Sequence, residues 1–266
     1  MNIVIFTSTS RSVVGKYITH ELKKVFPDSS IVAIDTSALP AKMEYLRFQF
    51  KRYKKRGIKG FINTLKERKD KVICLTDWRA HFTEAFEKLI NNNSIPDYTP
   101  DHIVSSTNGK KTEALLKKLK PDIIIQNGAG DLLKPNIFNI PSIMSVNMHH
   151  GVAPKLRGAS SIFWGVYYGR KDWVGVTVHK IDAGIDTGPV LKRAEVAFEY
   201  GEHPAKLFAE ATITGTRLLL EALHDIEKNN NNISFLPTKN EESKYKSFYK
   251  PKHYFALQKN NWHPVK

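Results

Sequence analysis

The sequence predicts an α/β protein built on a mostly parallel, Rossmann-like sheet with helices on both faces, followed by a short C-terminal tail. Three observations predict it. Short apolar runs, residues 3–6 and 123–125 among them, have the length and character of strands buried on both faces. Segments of helical period alternate with them along the chain, as a parallel sheet with crossover helices requires. One strand candidate, residues 143–148, also delivers Asn147 and His149 at its carboxyl end. Open α/β sheets bind their ligands at that end.

Taken in order, residues 1–8 read as the first strand, 9–14 as a loop, 16–26 as an amphipathic helix and 31–35 as a second strand. Residues 42–71 are rich in lysine and arginine, interleaved with Tyr45, Phe48, Phe50, Tyr53 and Phe61. Two readings stand for this segment: a solvated helical face whose apolar residues dock on the sheet, or a basic, aromatic surface for an anionic acceptor or RNA. Residues 71–76 read as another strand, 83–90 as helix, and the asparagine- and proline-bearing 91–100 as loop. A lysine-bearing helix at 112–119 stops at Pro121, and the strand at 123–126 ends in Asn127-Gly128-Ala129-Gly130. After the strand at 143–148 come a helix at 160–168, strands at 173–181 and 190–198, and a long helix at 203–228. The asparagine run at 229–232 then breaks the chain. The expected division is a catalytic domain at residues 1–228 and a tail at 229–266. The tail carries Tyr245, Phe248, Tyr249, Tyr254 and Phe255 and suits acceptor binding or dimerisation.

A chain of 266 residues with 41% hydrophobic content can bury a sizeable core. It has no apolar run near the roughly eighteen residues of a membrane span, and Asn2 passes straight into a strand, so a cytoplasmic protein is expected. The single Cys74 lies in the apolar run Val72-Ile73-Cys74-Leu75, which favours a buried thiol over a catalytic one. The net charge of +15 favours phosphate-bearing partners: nucleic acid, nucleotides or polyglutamylated folates.

The chemistry is concentrated in Asn147-Met148-His149-His150-Gly151 through Arg157-Gly158, and in Gly175-Val176-Thr177 through Asp182-Ala183-Gly184-Ile185-Asp186-Thr187-Gly188-Pro189. Residues two apart at a strand end point the same way, so Asn147 and His149 share a face. Asp182 or Asp186 supplies a carboxylate from a glycine-punctuated loop. An amide donor, an imidazole and a carboxylate suffice for acyl transfer to an amine without a nucleophilic serine or cysteine. A zinc reading of His149, His150 and His179 is disfavoured, because adjacent strand residues face opposite ways and no cysteine accompanies them. No metal is expected. The first strand lacks a Gly-x-Gly-x-x-Gly turn, which disfavours a dinucleotide dehydrogenase.

At these residues the sequence resembles the folate-dependent formyltransferases. Their pattern is Asn-x-His, then Pro and Arg-Gly, then a Gly-x-Thr strand leading to Asp-x-Gly-x-Asp-Thr-Gly-Pro. This chain matches at Asn147, His149, Pro154, Arg157, Gly158, Gly175, Thr177, Asp182, Gly184, Asp186, Thr187, Gly188 and Pro189. The resemblance implies a sheet that binds 10-formyltetrahydrofolate as formyl donor. Its pterin would lie between residues 127–133 and 181–186, contacting Gly128, Gly130, Leu132, Leu133, Asp182 and Ile185. It also implies that Asn147 and His149 stabilise the oxyanion, while Asp186 keeps His149 charged and helps move the proton. Arg157 and His150 are the expected acceptor contacts. His150 stands where relatives often carry proline or glycine, and its alternative is an exposed loop histidine.

Within that family the thirty-odd residues after the asparagine run are too few for the C-terminal barrel of methionyl-tRNA formyltransferases. The resemblance therefore points to a sugar N-formyltransferase acting on a nucleotide-linked amino sugar. A methionyl-tRNA formyltransferase-like enzyme and a catalytically silent RNA-binding member are the alternatives. Retention of Asn147, His149 and Asp186 together weighs against the silent one.

Overall fold

The computed structural model describes residues 1–7, 12–35, 42–91, 93, 95, 96, 98–127, 131–229 and 232–265, and over 42–65 it describes the backbone alone. Strands are β1 (Asn2–Thr7), β2 (Ser30–Asp35), β3 (His102–Ile103), β4 (Ile123–Gln126), β5 (Met144–His149), β6 (Leu156–Gly158), β7 (Gly175–Lys180), β8 (Val190–Glu195) and β9 (Lys244–Lys246). Helices are α1 (Val13–Val25), α2 (Lys42–Leu89), α3 (Lys110–Leu119), α4 (Pro135–Phe138), α5 (Ser161–Tyr168), α6 (Pro204–Lys228) and α7 (Pro251–Lys259). A seven-stranded sheet runs in the order β3-β2-β1-β4-β5-β7-β8. Its first five strands are parallel, and β7 and β8 are antiparallel to their neighbours. This is the Rossmann-like architecture expected from the sequence.

Alternation along β1 and β4 builds two cores. Ile3, Ile5, Ile123 and Ile125 face a cluster with Ile18 and Leu22 of α1 and Leu219 and Leu223 of α6. Val4, Phe6 and Ile124 face Leu116 of α3 and Ile137 of α4 on the other side. Strands buried on both faces have no polar side to show, hence their unbroken apolar sequences.

The strand expected at 71–76 is instead part of α2. Cys74, Trp78, Phe82 and Phe86, four residues apart, form one helical row, with Trp78 and Phe82 packing edgewise on Phe208 of α6. Val72, Ile73 and Leu75 are exposed. A four-residue apolar run fits either element, and the longer period decides. Burial, with the charge of Asp70 beside it, pushes the Cys74 thiol up to about 11, which makes it a poor nucleophile. The helical backbone of α2 covers the basic segment, whose side chains up to 65 lie outside the described residues.

After α6 the chain folds back on the domain. Leu236 N donates to the Val190 carbonyl at 2.8 Å. β9 pairs in parallel with β6, and α7 buries Tyr254 and Leu257 in the first core. Tyr254 also donates its hydroxyl to Asp77 of α2 and meets His203 Nε2 at 2.8 Å, so one phenol joins α2, α6 and α7. Among the described residues, no helix is long and apolar enough to cross a membrane.

Candidate active site

The site forms where β5, β7 and the loop from β7 to β8 meet at the carboxyl end of the parallel strands. β5 delivers Asn147 and His149. The antiparallel register of β7 sets His179 opposite Asn147. Thr177, paired with His149 two positions further along, accepts from Ala153 N at 2.9 Å and donates to the Gly151 carbonyl at 2.7 Å, fixing the loop after His149.

Asp186 enters with φ 51°, in the left-handed region that aspartate tolerates better than most residues. Asp182 shapes that loop, accepting from Gly184 N at 3.0 Å and Thr187 Oγ1 at 2.6 Å. Asp186 is the hub. One carboxylate oxygen lies 3.3 Å from Asn147 Nδ2 and 3.4 Å from His179 Nε2. The other accepts from Gly158 N at 2.9 Å and lies 3.4 Å from His149 Nδ1. Gly158 has φ 98°, and a Cβ there would collide with the Lys246 carbonyl, so only glycine suits this N–H. Burial alone would raise the Asp186 carboxyl, but His179, His149 and the Gly158 N–H outweigh it and hold it at about 2.

His149 is buried between two acceptors, the Leu156 carbonyl 3.1 Å from Nε2 and Asp186 at Nδ1. The doubly protonated ring satisfies both. Burial works against that charge and lowers the pKa, while the Asp186 carboxylate pulls it back up without restoring it. The ring is therefore not the charged one that the resemblance implied, although its surroundings accommodate a second proton.

The structure brings together Asn147, His149 and Asp186, the three residues that the resemblance implied, and sets beside them His179, which the sequence did not place there. His179 Nδ1 donates to the Lys180 carbonyl at 2.8 Å, which leaves Nε2 facing Asn147 Nδ2 at 3.2 Å. The signal was available in the alternation of residues 175–180, but the pairing register was not.

A cavity of about 700 Å³ opens beside these groups. Catalytic-side residues Asn147, His149 and Gly158 line it, as do Lys71, Cys74 and Trp78 of α2, Phe163 of α5, Phe208 of α6, and Phe248 and Tyr249 of the C-terminal segment. Phe163 and Tyr249 stack at 4.1 Å. His150 lines it too, half-buried on Phe208 with ring centroids 4.0 Å apart, and so is not an exposed loop histidine. Arg157 donates from Nη1 to the Ile185 carbonyl at 3.0 Å and from Nε to Ser243 Oγ at 2.9 Å, bracing the Asp186 loop against the C-terminal segment.

On the other side of the loop, Ile181 packs in the same apolar cluster as Leu133. Leu132 is 61% exposed, and Asn108 pins the segment by bonding the Leu132 carbonyl at 2.9 Å and Lys134 N at 2.7 Å. Gly128 and Gly130 lie outside the described residues.

Among the described residues, the group with metal-ligand proximity is Asp77, His81 and His203. His203 Nδ1 accepts from Ala205 N at 3.0 Å as the cap of α6, so its Nε2 carries the proton and cannot offer a lone pair to a metal.

The "Formyl transferase" family model matches residues 84–223. Curated relatives include methionyl-tRNA formyltransferases of Thermosynechococcus vestitus, 34% identical over 42% of this chain and 34% of the relative, and of Nostoc sp., 30% identical over 61% and 46%. The chain thus spans a third to under half of these relatives. Similar solved structures include a sugar N-formyltransferase from Shewanella, TM-score 0.56 at 14% identity, covering 93% of this chain and 77% of that one. Another is the formyltransferase PseJ from Anoxybacillus kamchatkensis in complex with UDP-4,6-dideoxy-4-formamido-L-AltNAc and tetrahydrofolate. Its TM-score is 0.54 at 16% identity, covering 99% of this chain and 95% of that one.

Proposed function

Because the chain belongs to the formyl transferase family, we propose that it moves a formyl group from 10-formyltetrahydrofolate to the amino group of a nucleotide-linked amino sugar. The observation that carries this reading is the Asn147, His149, His179 and Asp186 cluster opening on an aromatic-walled cavity.

The residues on the folate side fit a pterin. Leu132 and Ile185 offer apolar contact, and the backbone around Leu133 and Asp182 offers donors and acceptors on a segment that Asn108 fixes. When bound there, the folate supplies an activated formyl group on a nitrogen that can leave. Asn147 Nδ2 donates to the transferred oxygen as it gains charge, and its 3.3 Å bond to Asp186 is the weaker one to exchange. His149 takes the proton that the attacking amine gives up, with Asp186 beside it stabilising the resulting charge, and returns that proton to the leaving nitrogen. Arg157 acts here as a brace for Ile185 and Asp186, while His150 faces the acceptor.

The acceptor reading rests on the cavity. Its aromatic walls suit a base or a deoxygenated sugar face, Lys71 stands at its rim for phosphate, and α2 continues the positive charge. In PseJ the bound formamido sugar is nucleotide-linked and dideoxy. A second reading, formylation of methionyl-tRNA, is favoured by the curated relatives and the basic helix. Incubating the protein with 10-formyltetrahydrofolate and either UDP-4-amino-4,6-dideoxy sugars or charged initiator tRNA, with mass spectrometry for the added formyl, separates the two. Asn147→Ala, His149→Ala and Asp186→Ala should each cut turnover at least about a hundredfold while folding normally. Near-normal turnover in two of the three would sink the assignment.

A further inference from the structure

The acceptor's amine needs more than a formyl group within reach. A primary amine attacks through its single lone pair, and that lone pair is aimed only if the N–H bonds are held. An acceptor atom must therefore face the cavity. Asn147, His149 and Gly158 already engage the Asp186 carboxylate, and His149, as the base for the proton that leaves, cannot also hold the N–H that stays.

His150 supplies such an atom, and its neighbours decide which one. Thr212 has one hydroxyl proton and donates it to the Phe208 carbonyl, four residues back, at 2.8 Å. A carbonyl only accepts, so the 3.0 Å contact between Thr212 Oγ1 and His150 Nε2 must be donated by the imidazole. The ring is clamped in that orientation by stacking on Phe208 at an interplanar angle of 17°. Its Nδ1 then carries a lone pair, with no hydrogen-bond partner among the described residues, in a ring that lines the cavity next to His149.

We propose that His150 orients the attacking amine, its Nδ1 accepting one amine N–H so that the nitrogen lone pair points at the formyl carbon. This deepens the proposed function and rests on it. Burial and the neighbouring His149 push the His150 pKa down to about 3, so the ring stays neutral and its lone pair free at working pH. Phe208 and Thr212 thereby become positioning residues one and two steps behind the amine.

The test pairs kinetics with spectroscopy. In wild type, ¹⁵N chemical shifts should show His150 protonated at Nε2 and bare at Nδ1; a proton on Nδ1 overturns the proposal whatever the acceptor. His150→Phe keeps the stack on Phe208 but removes the acceptor atom. With hydroxylamine and a UDP-linked 4-amino sugar as probes, it should lower kcat/KM for the amine at least about tenfold and leave the KM for the formyl donor unchanged. His150→Asn, whose amide oxygen can stand at the Nδ1 position, should recover much of that loss. Equal rates in wild type and His150→Phe, or a loss that Asn does not rescue and that raises the donor KM, overturn the role of His150 alone. A wild type that formylates neither probe strikes at the proposed function instead.

Discussion

Asn147 stands directly opposite His179 in the antiparallel pair of β5 and β7, its amide nitrogen 3.2 Å from the ring and 3.3 Å from Asp186. The two residues and the carboxylate form a closed triangle. Any change to one corner alters the other two.

His179→Ala is the sharpest probe of that triangle. His179 is the largest of the influences that hold the Asp186 carboxyl at about 2 against its burial. Without it the carboxyl should rise. A depressed carboxylate contributes stability above its unfolded pKa and loses it as pH falls through the folded value, so the variant should lose this contribution at a higher pH. The acid limb of kcat/KM should move up in the same direction. Carbon NMR titration of Asp186 checks it, and an unmoved carboxyl would remove His179 from the site.

Arg157 separates bracing from binding. If it braces Ile185 and Ser243 as the bonds show, Arg157→Ala should lower kcat about tenfold or more with little change in acceptor KM. Arg157→Lys should not rescue it, since one ammonium cannot reproduce a planar fork. An acceptor KM that rises while kcat holds would instead make Arg157 a substrate contact.

Chelation should leave the transfer rate unchanged. The cluster of Asp77, His81 and His203 has its His203 lone pair committed to the α6 cap, and the chemistry assigned to Asn147, His149 and Asp186 needs no Lewis acid. Activity lost on exhaustive metal removal and restored by zinc would require the mechanism to be rebuilt.

The sheet was legible because strands buried on both faces leave unbroken apolar runs, as at Ile123, Ile124 and Ile125. The same rule misled at residues 71–76, where Val72, Ile73 and Leu75 mimic a strand but belong to a helix whose packing row is Cys74, Trp78, Phe82 and Phe86. The shared face of Asn147 and His149 was readable from their spacing at a strand end, while the choice of Asp186 over Asp182 came from the resemblance to the folate-dependent formyltransferases. His179 was not readable, because its place depends on a strand register linking residues 32 apart. Nor was the anchoring of the last segment through Tyr254, whose partners Asp77 and His203 come from distant helices.

Phe248 offers the cleanest test of what that last segment does. Removing the segment outright would uncover the core around Tyr254 and Leu257, so a truncation would confuse binding with folding. Phe248 is different: it lines the cavity yet is 79% exposed, so shortening it costs the fold little. If it stacks on the base or sugar of the acceptor, Phe248→Ala should weaken acceptor binding about fivefold to a hundredfold, the range expected for one aromatic stack. Binding of the folate, which the proposed site sets against Leu132 and Ile185, should not change. Calorimetry with the nucleotide-linked amino sugar and with tetrahydrofolate reads the two affinities separately, and the melting temperature confirms the fold. An unchanged acceptor affinity would exclude Phe248 from recognition and leave the aromatic walls to Trp78, Phe163, Phe208 and Tyr249.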